Sequence, residues 1–78
     1  MKKHDPVCVI WEDAASVDEW TDEDEIIGTD CPVIHSIGFL IYKDKKKIIL
    51  ALNIDPSDDG ASCTMFIPMK MVKKIVKL

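Results

Sequence analysis

Apolar positions along this chain fall in short runs of period two, the repeat of a β-strand rather than of a helix. Val7–Trp11 (VCVIW) is β-branched and apolar, with Val7, Val9 and Trp11 on one face, and reads as a buried strand. Val33–Lys43 (VIHSIGFLIYK) alternates between two faces: His35, Ile37, Phe39 and Ile41 on one, Ile34, Ser36, Gly38, Leu40 and Tyr42 on the other. Gly38 in its middle predicts a bend or a bulge, because a strongly curved sheet needs a residue without Cβ. Lys43-Asp44-Lys45-Lys46 supplies a turn. Lys47–Ile54 (KIILALNI) returns as the partner strand, with Ile48, Leu50, Leu52 and Ile54 on one face. Asp55–Gly60 (DPSDDG) is a loop by composition. Ser62–Ile67 is a fourth strand, and Pro68, having no N–H to donate, ends it. Met69–Lys73 has room for one 3₁₀ turn before a fifth strand over Lys74–Leu78.

The stretch Glu12–Pro32 breaks this rhythm. Ser16-Val17-Asp18-Glu19 has the S-x-x-E form of a capping box and predicts a helical turn ending near Trp20. Thr21–Glu25 (TDEDE) is an acidic run, and Gly28 and Pro32 are turn signals. The expected fold is all-β: a five-stranded barrel with a short helix in the long acidic loop after the first strand. It forms one domain over residues 1–78, with residues 1–6 as a loose tail.

A chain of 78 residues buries only a modest core. The three cysteines, Cys8, Cys31 and Cys63, are odd in number and form no C-x-x-C. They are expected to be buried, reduced thiols of a cytoplasmic protein. The opening Met-Lys-Lys-His-Asp-Pro leads into no long apolar run, so a soluble intracellular protein without membrane partners is expected. The net charge of −4 is unevenly spread. Residues 1–32 hold two lysines against ten acids, residues 33–78 hold eight lysines against four acids, and arginine is absent. The basic half can attract nucleic acid or the acidic half of a second copy.

Candidate chemistry is sparse. Asp55-x-Ser57-x-Asp59-Gly60 opens like a calcium loop, but Phe66 stands where the closing glutamate belongs, so a plain turn is expected. No metal or other cofactor is expected. The acidic run from Asp18 to Glu25 reads as a solvated face, with partner binding as its alternative. His35, mid-strand among apolar neighbours, reads as a packed residue rather than a base. No nucleophile–base pattern or glycine-rich phosphate loop occurs, and no enzyme is expected. Lys43, Lys45, Lys46 and Lys47 gather with Tyr42 at one hairpin as a candidate contact for nucleic acid or a partner. Trp11 and Trp20 are expected to pack the long loop onto the barrel. The alternative makes them the contact surface of a peptide-binding module.

Ser36-x-Gly38-Phe39-Leu40, Asp44, Ile49-Leu50-Ala51 and Ile67-Pro68-x-x-x-Val72-x-x-Ile75-x-x-Leu78, together with Trp11-x-Asp13 and Trp20, run through nearly the whole chain. In these residues it resembles a group of very small Sm-like proteins of unassigned function, many of them phage- or prophage-associated. The resemblance implies an SH3-like or Sm-like barrel that assembles head-to-tail into a ring. Ser62–Ile67 of one copy would pair with Lys74–Leu78 of the next, with Cys63, Met65, Ile67, Ile75, Val76 and Leu78 at the subunit interface. It also raises RNA as a partner. Two departures weaken that implication: the Lys43–Lys46 turn has no asparagine, and neither Arg-Gly nor Lys-His follows Phe66. A non-enzymatic, oligomerising interaction module is therefore the expected function. RNA binding and peptide binding are the alternatives.

Overall fold

The computed structural model describes residues 1–78. Its elements are β1 (Pro6–Glu12), α1 (Glu23–Ile27), β2 (Val33–Lys43), β3 (Lys47–Asp55), β4 (Gly60–Pro68), a 3₁₀ turn (Met69–Met71) and β5 (Val72–Lys77). All five strands join one antiparallel sheet in the order β4-β3-β2-β1-β5, a small all-β, barrel-like fold.

The roll of this sheet begins in β2. Its first half pairs with β1, from Glu12↔Val33 to Pro6↔Phe39. Its second half pairs with β3, from Phe39↔Ala51 to Lys43↔Ile48. The change of partner falls at Gly38–Phe39. A Cβ at Gly38 would lie 2.9 Å from the Ala51 carbonyl oxygen and 3.3 Å from Leu50 Cβ, so β3 comes close only because position 38 has no side chain. The bulge itself sits further on, where the register shifts between Leu40 and Tyr42. The roll brings β4 back over β2: Trp11 Nε1 donates to Ser36 Oγ at 3.0 Å, and that hydroxyl donates to Met65 Sδ at 3.6 Å. Met69 N–H donates to the Lys46 carbonyl at 2.9 Å and ties the 3₁₀ turn to the β2–β3 hairpin.

The core is Val7, Val9, Leu40, Ile48, Leu50 and Ile67, with Trp11, Met69, Val72 and Ile75 packed around it. Of the two faces of β2, the one with Ser36, Gly38 and Leu40 turns inward, and Ile37 is left 65% exposed. A tight barrel has room inside for the small residues. His35 therefore lies on the outer face and is exposed, not packed as expected. On β3 the inward face runs out of the barrel after Leu50, and Leu52 is exposed.

Several other expectations are corrected. Helix forms at Glu23–Ile27, not at Ser16–Trp20. Glu23, Asp24 and Glu25 occupy its first turn, where the helix dipole favours acids. The stretch before it remains irregular, with the Thr21 hydroxyl donating to the Glu19 carbonyl. Residues 13–32 are exposed apart from half-buried Thr21, so they form an arm and not a layer packed on the barrel. The N-terminal residues are pinned rather than loose. Lys2 N–H donates to Asp5 Oδ2, His4 N–H to the Leu40 carbonyl, and Leu40 N–H to the Asp5 carbonyl. Cys31 and Cys63 are exposed and Cys8 is half-buried. The first two lie in the arm and in the protruding part of β4, where no core covers them. No helix is long and apolar enough to cross a membrane.

The molecule is elongated, 54 × 21 × 21 Å, with a radius of gyration of 15.8 Å. A compact chain of this length would have about 11.5 Å.

Gly38→Ala sets a methyl group against the Ala51 backbone, which cannot rotate away. The expected outcome is a loss of about 1–3 kcal/mol in urea unfolding, with an unchanged m-value.

Candidate functional site

The sheet ends in two strands with no outer neighbour, β4 and β5. Each has one ladder satisfied and one row of backbone N–H and C=O groups open, the condition that templates pairing with another chain. On β4, Met65 and Phe66 are exposed. Beside them lies an apolar hollow of about 240 Å³ whose walls include Ile37, Leu52, Cys63 and Met65. On β5, Ile75 and Val76 are half-buried, and Leu78, just past the end of the strand, is exposed.

Five of the six residues expected at a subunit interface (Cys63, Met65, Ile75, Val76 and Leu78) thus keep some surface on these two edges. Ile67 does not: it is 0% exposed and belongs to the core, so only its backbone lies on the edge. Period two places Cys63, Met65 and Ile67 on one side of β4. That side is covered at Ile67 and uncovered where β4 leaves the barrel. Phe66, 63% exposed on the opposite side, was missed. Its signal was available, because two adjacent apolar residues on a strand cannot both face inward.

Cys63 has φ 56°, in the left-handed region that a side chain rarely adopts. It stands at the one step the β3–β4 ladder skips, between Ala51↔Thr64 and Asn53↔Ser62. The edge strand is kinked there.

The lysine hairpin is built around an acid. Asp44 Oδ1 accepts the N–H of Lys46 at 2.8 Å and of Lys47 at 2.9 Å, while Oδ2 accepts the Tyr42 hydroxyl at 2.9 Å. The amides of Lys47 and Lys46 hold the Asp44 carboxyl below its ordinary range, and the bond to Asp44 pushes the Tyr42 phenol up. Lys47 Nζ lies 5.9 Å from the centroid of the Tyr42 ring. Lys43, Lys45, Lys46 and Lys47 are all exposed around this turn. The structure brings Tyr42 and the four lysines together, with a carboxylate in their midst. The β5 lysines are partly engaged: Lys73 Nζ lies 2.8 Å from Glu12 and Lys77 Nζ 3.7 Å from Asp5. Such exposed pairs orient more than they stabilise.

Asp55 serves its own loop. Its Oδ1 accepts the Ser57 hydroxyl at 2.6 Å and the Ser57 N–H at 3.0 Å, and these bonds hold its carboxyl below its ordinary range. The two tryptophans part company. Trp11 packs against the core and donates its N–H to Ser36 Oγ. Trp20 is 105% exposed.

Neither a family model, nor a curated protein, nor a solved structure matches the chain.

Asp5, Asp44 and Asp55 all have carboxyls lowered from 3.8, Asp5 chiefly by the Lys2 amide. Their stabilising bonds are fully present above that ordinary value and are lost as pH falls through the lower folded-state values. The thermal midpoint should therefore drop on acidification from about pH 5 to about pH 3. Asp44→Asn should show a smaller drop than the parent chain over that interval. An equal drop would remove Asp44 from the account.

Proposed function

We propose that this chain is a non-enzymatic, Sm-like interaction module that works as a closed homo-oligomer, with β4 of one copy pairing with β5 of the next. One observation carries the reading. The two open edges of the sheet are the same two strands that the sequence resemblance pairs between copies, and apolar side chains flank both. A heterologous contact of this kind closes into a ring when its rotation allows, and a ring leaves no strand edge open.

Packing supports the same reading. Only seven of 78 residues are buried, whereas thirteen large apolar side chains are exposed. A core that small stabilises a lone chain weakly, and self-association is one of the few remedies open to a domain of this size. Added β4–β5 pairing would cover Met65 and Phe66 and fill the hollow beside Cys63. The candidate acids and bases offer no rival. His35 points out from β2, Asp44 and Asp55 are occupied by their own turns, and no nucleophile is paired with a base.

RNA contact through Lys43–Lys47 is the second reading, favoured by the exposed lysines around Tyr42. Asp44 at the centre of that hairpin offsets part of its charge. Lysine contacts with phosphate would be salt-sensitive and indifferent to base.

Light scattering on the purified chain should give a single mass of several chains. Phe66→Lys, which sets a charge on the β4 edge, should reduce that mass to one chain while the fold is kept. A parent protein that is already monomeric at micromolar concentration would end the ring reading. Titration with oligo(U) and oligo(A) at rising salt addresses the second reading, and absence of binding at the lowest salt would dismiss it.

A further inference from the structure

The molecule carries an anchor without a socket at one end and a socket without an anchor at the other. The anchor is the arm. Between Glu12 and Asp30 it holds nine acids and no lysine. Trp20 stands in its midst with its indole wholly in solvent, and none of the four hollows in the molecule is lined by it. A tryptophan side chain offers about 150–250 Å² for burial, which makes it the residue type most often found as an interface anchor. The arm's own smaller hollow, beside Ala15, Val17, Ile26 and Cys31, leaves it uncovered.

The socket is a hollow of about 420 Å³ lined by Met1, Lys3, Leu40, Ile41, Tyr42 and Lys43. Its size suits an aromatic side chain. Four of its six residues are apolar or aromatic, and Lys43 stands at its rim with Lys3, whose Nζ lies 3.8 Å from Asp59 Oδ1 in an exposed pair that an incoming acid can exchange with. Lys2, Lys45 and Lys46 follow in sequence on either side. An apolar floor with a lysine rim matches an indole flanked by Glu19, Asp22 and Glu23 in both shape and sign. Lysine over an indole face adds a cation–π attraction.

The two do not meet within one chain. The arm springs from Glu12 and Val33 at one end of the β1–β2 pair, whereas the hollow lies past Pro6 and Phe39 at the other. Seven residues of β1 put roughly 20 Å between those ends. Two complementary surfaces at opposite ends of a molecule describe a head-to-tail contact. We infer that the acidic arm of one copy seats Trp20 in the lysine-rimmed hollow of a second copy. This contact uses neither strand edge, so it stands or falls separately from the β4–β5 pairing.

The test is tryptophan emission of the full chain against concentration, at low and high salt, with sedimentation in parallel. Trp11 contributes a steady background because its indole stays engaged with Ser36. Docking moves Trp20 out of water, so emission should shift blue as concentration rises and return red at high salt. Trp20→Ser, at a site with no packing to lose, should abolish the shift and weaken this association at least about tenfold. Lys3→Glu with Lys43→Glu should also abolish it, and adding Glu19→Lys with Asp22→Lys to the same chain should restore it. Phe66→Lys should leave the shift in place, which separates this contact from the strand-edge one. The inference is overturned by an emission that ignores concentration, including one already blue at the highest dilution. A shift that survives reversal of the two rim lysines overturns it equally.

Discussion

The whole architecture hangs on β2 changing its antiparallel partner part-way along its length. A strand that stays straight pairs along its full length with the same neighbours, and the sheet stays open and flat. Here β2 gives its first half to β1 and its second half to β3, and the handover falls where Gly38 lets the Ala51 carbonyl come within 2.9 Å of where a Cβ would stand. The bulge after Leu40 then adds twist. From that one bend come the roll of the sheet, the approach of β4 to Ser36, and the enclosure of Leu40, Ile48 and Leu50 with Val7 and Val9.

The same bend sets the limit of the interior. A barrel this narrow accepts Ser36 and Gly38 inside and sends Ile37 out. It also ends before β3 and β4 do, so Leu52 and Cys63 continue the inward face uncovered, and Met65, though it reaches the Ser36 hydroxyl, stays 44% exposed. Apolar surface is therefore stranded next to two unsatisfied strand edges. The proposed assembly rests on this coincidence of open backbone and uncovered side chains.

Much of the fold was legible in the sequence. Period-two runs located all five strands; β2 has the expected bounds and β3 is extended only by Asp55, because alternation and the Lys43–Lys46 turn are local signals. The proline after Ile67 marked the end of β4 for an equally local reason. Position 35 was not legible. Alternation divides β2 into two faces, but both carry large apolar residues, and only the three-dimensional volume available decides which face turns in. The helix was misplaced because a capping box at Ser16 outweighed the acids of Glu23–Glu25, and Ser16 has no following apolar run to stabilise a turn. The burial of Ile67 was not legible for a related reason: sequence shows which residues share a side of β4, not where along β4 the barrel ceases to cover it. Trp20 was expected to pack because large aromatics usually do, and nothing local reveals that the arm stands away from the barrel.

Glu12 and Val33, which flank the arm, are direct cross-strand partners, and Asp13 N–H closes the neck by donating to the Pro32 carbonyl at 3.0 Å. The barrel therefore sees the arm only as a closed loop whose ends lie about 5 Å apart. Doubling such a loop costs about 0.6 kcal/mol in closure entropy, whatever its sequence. The barrel's core and the arm's exposed acidic surface thus occupy separate stretches of one short chain. Changes of length or sequence within residues 14–31 would on this ground leave β1 and β2 in register, because the neck at Glu12, Asp13, Pro32 and Val33 holds the ends together.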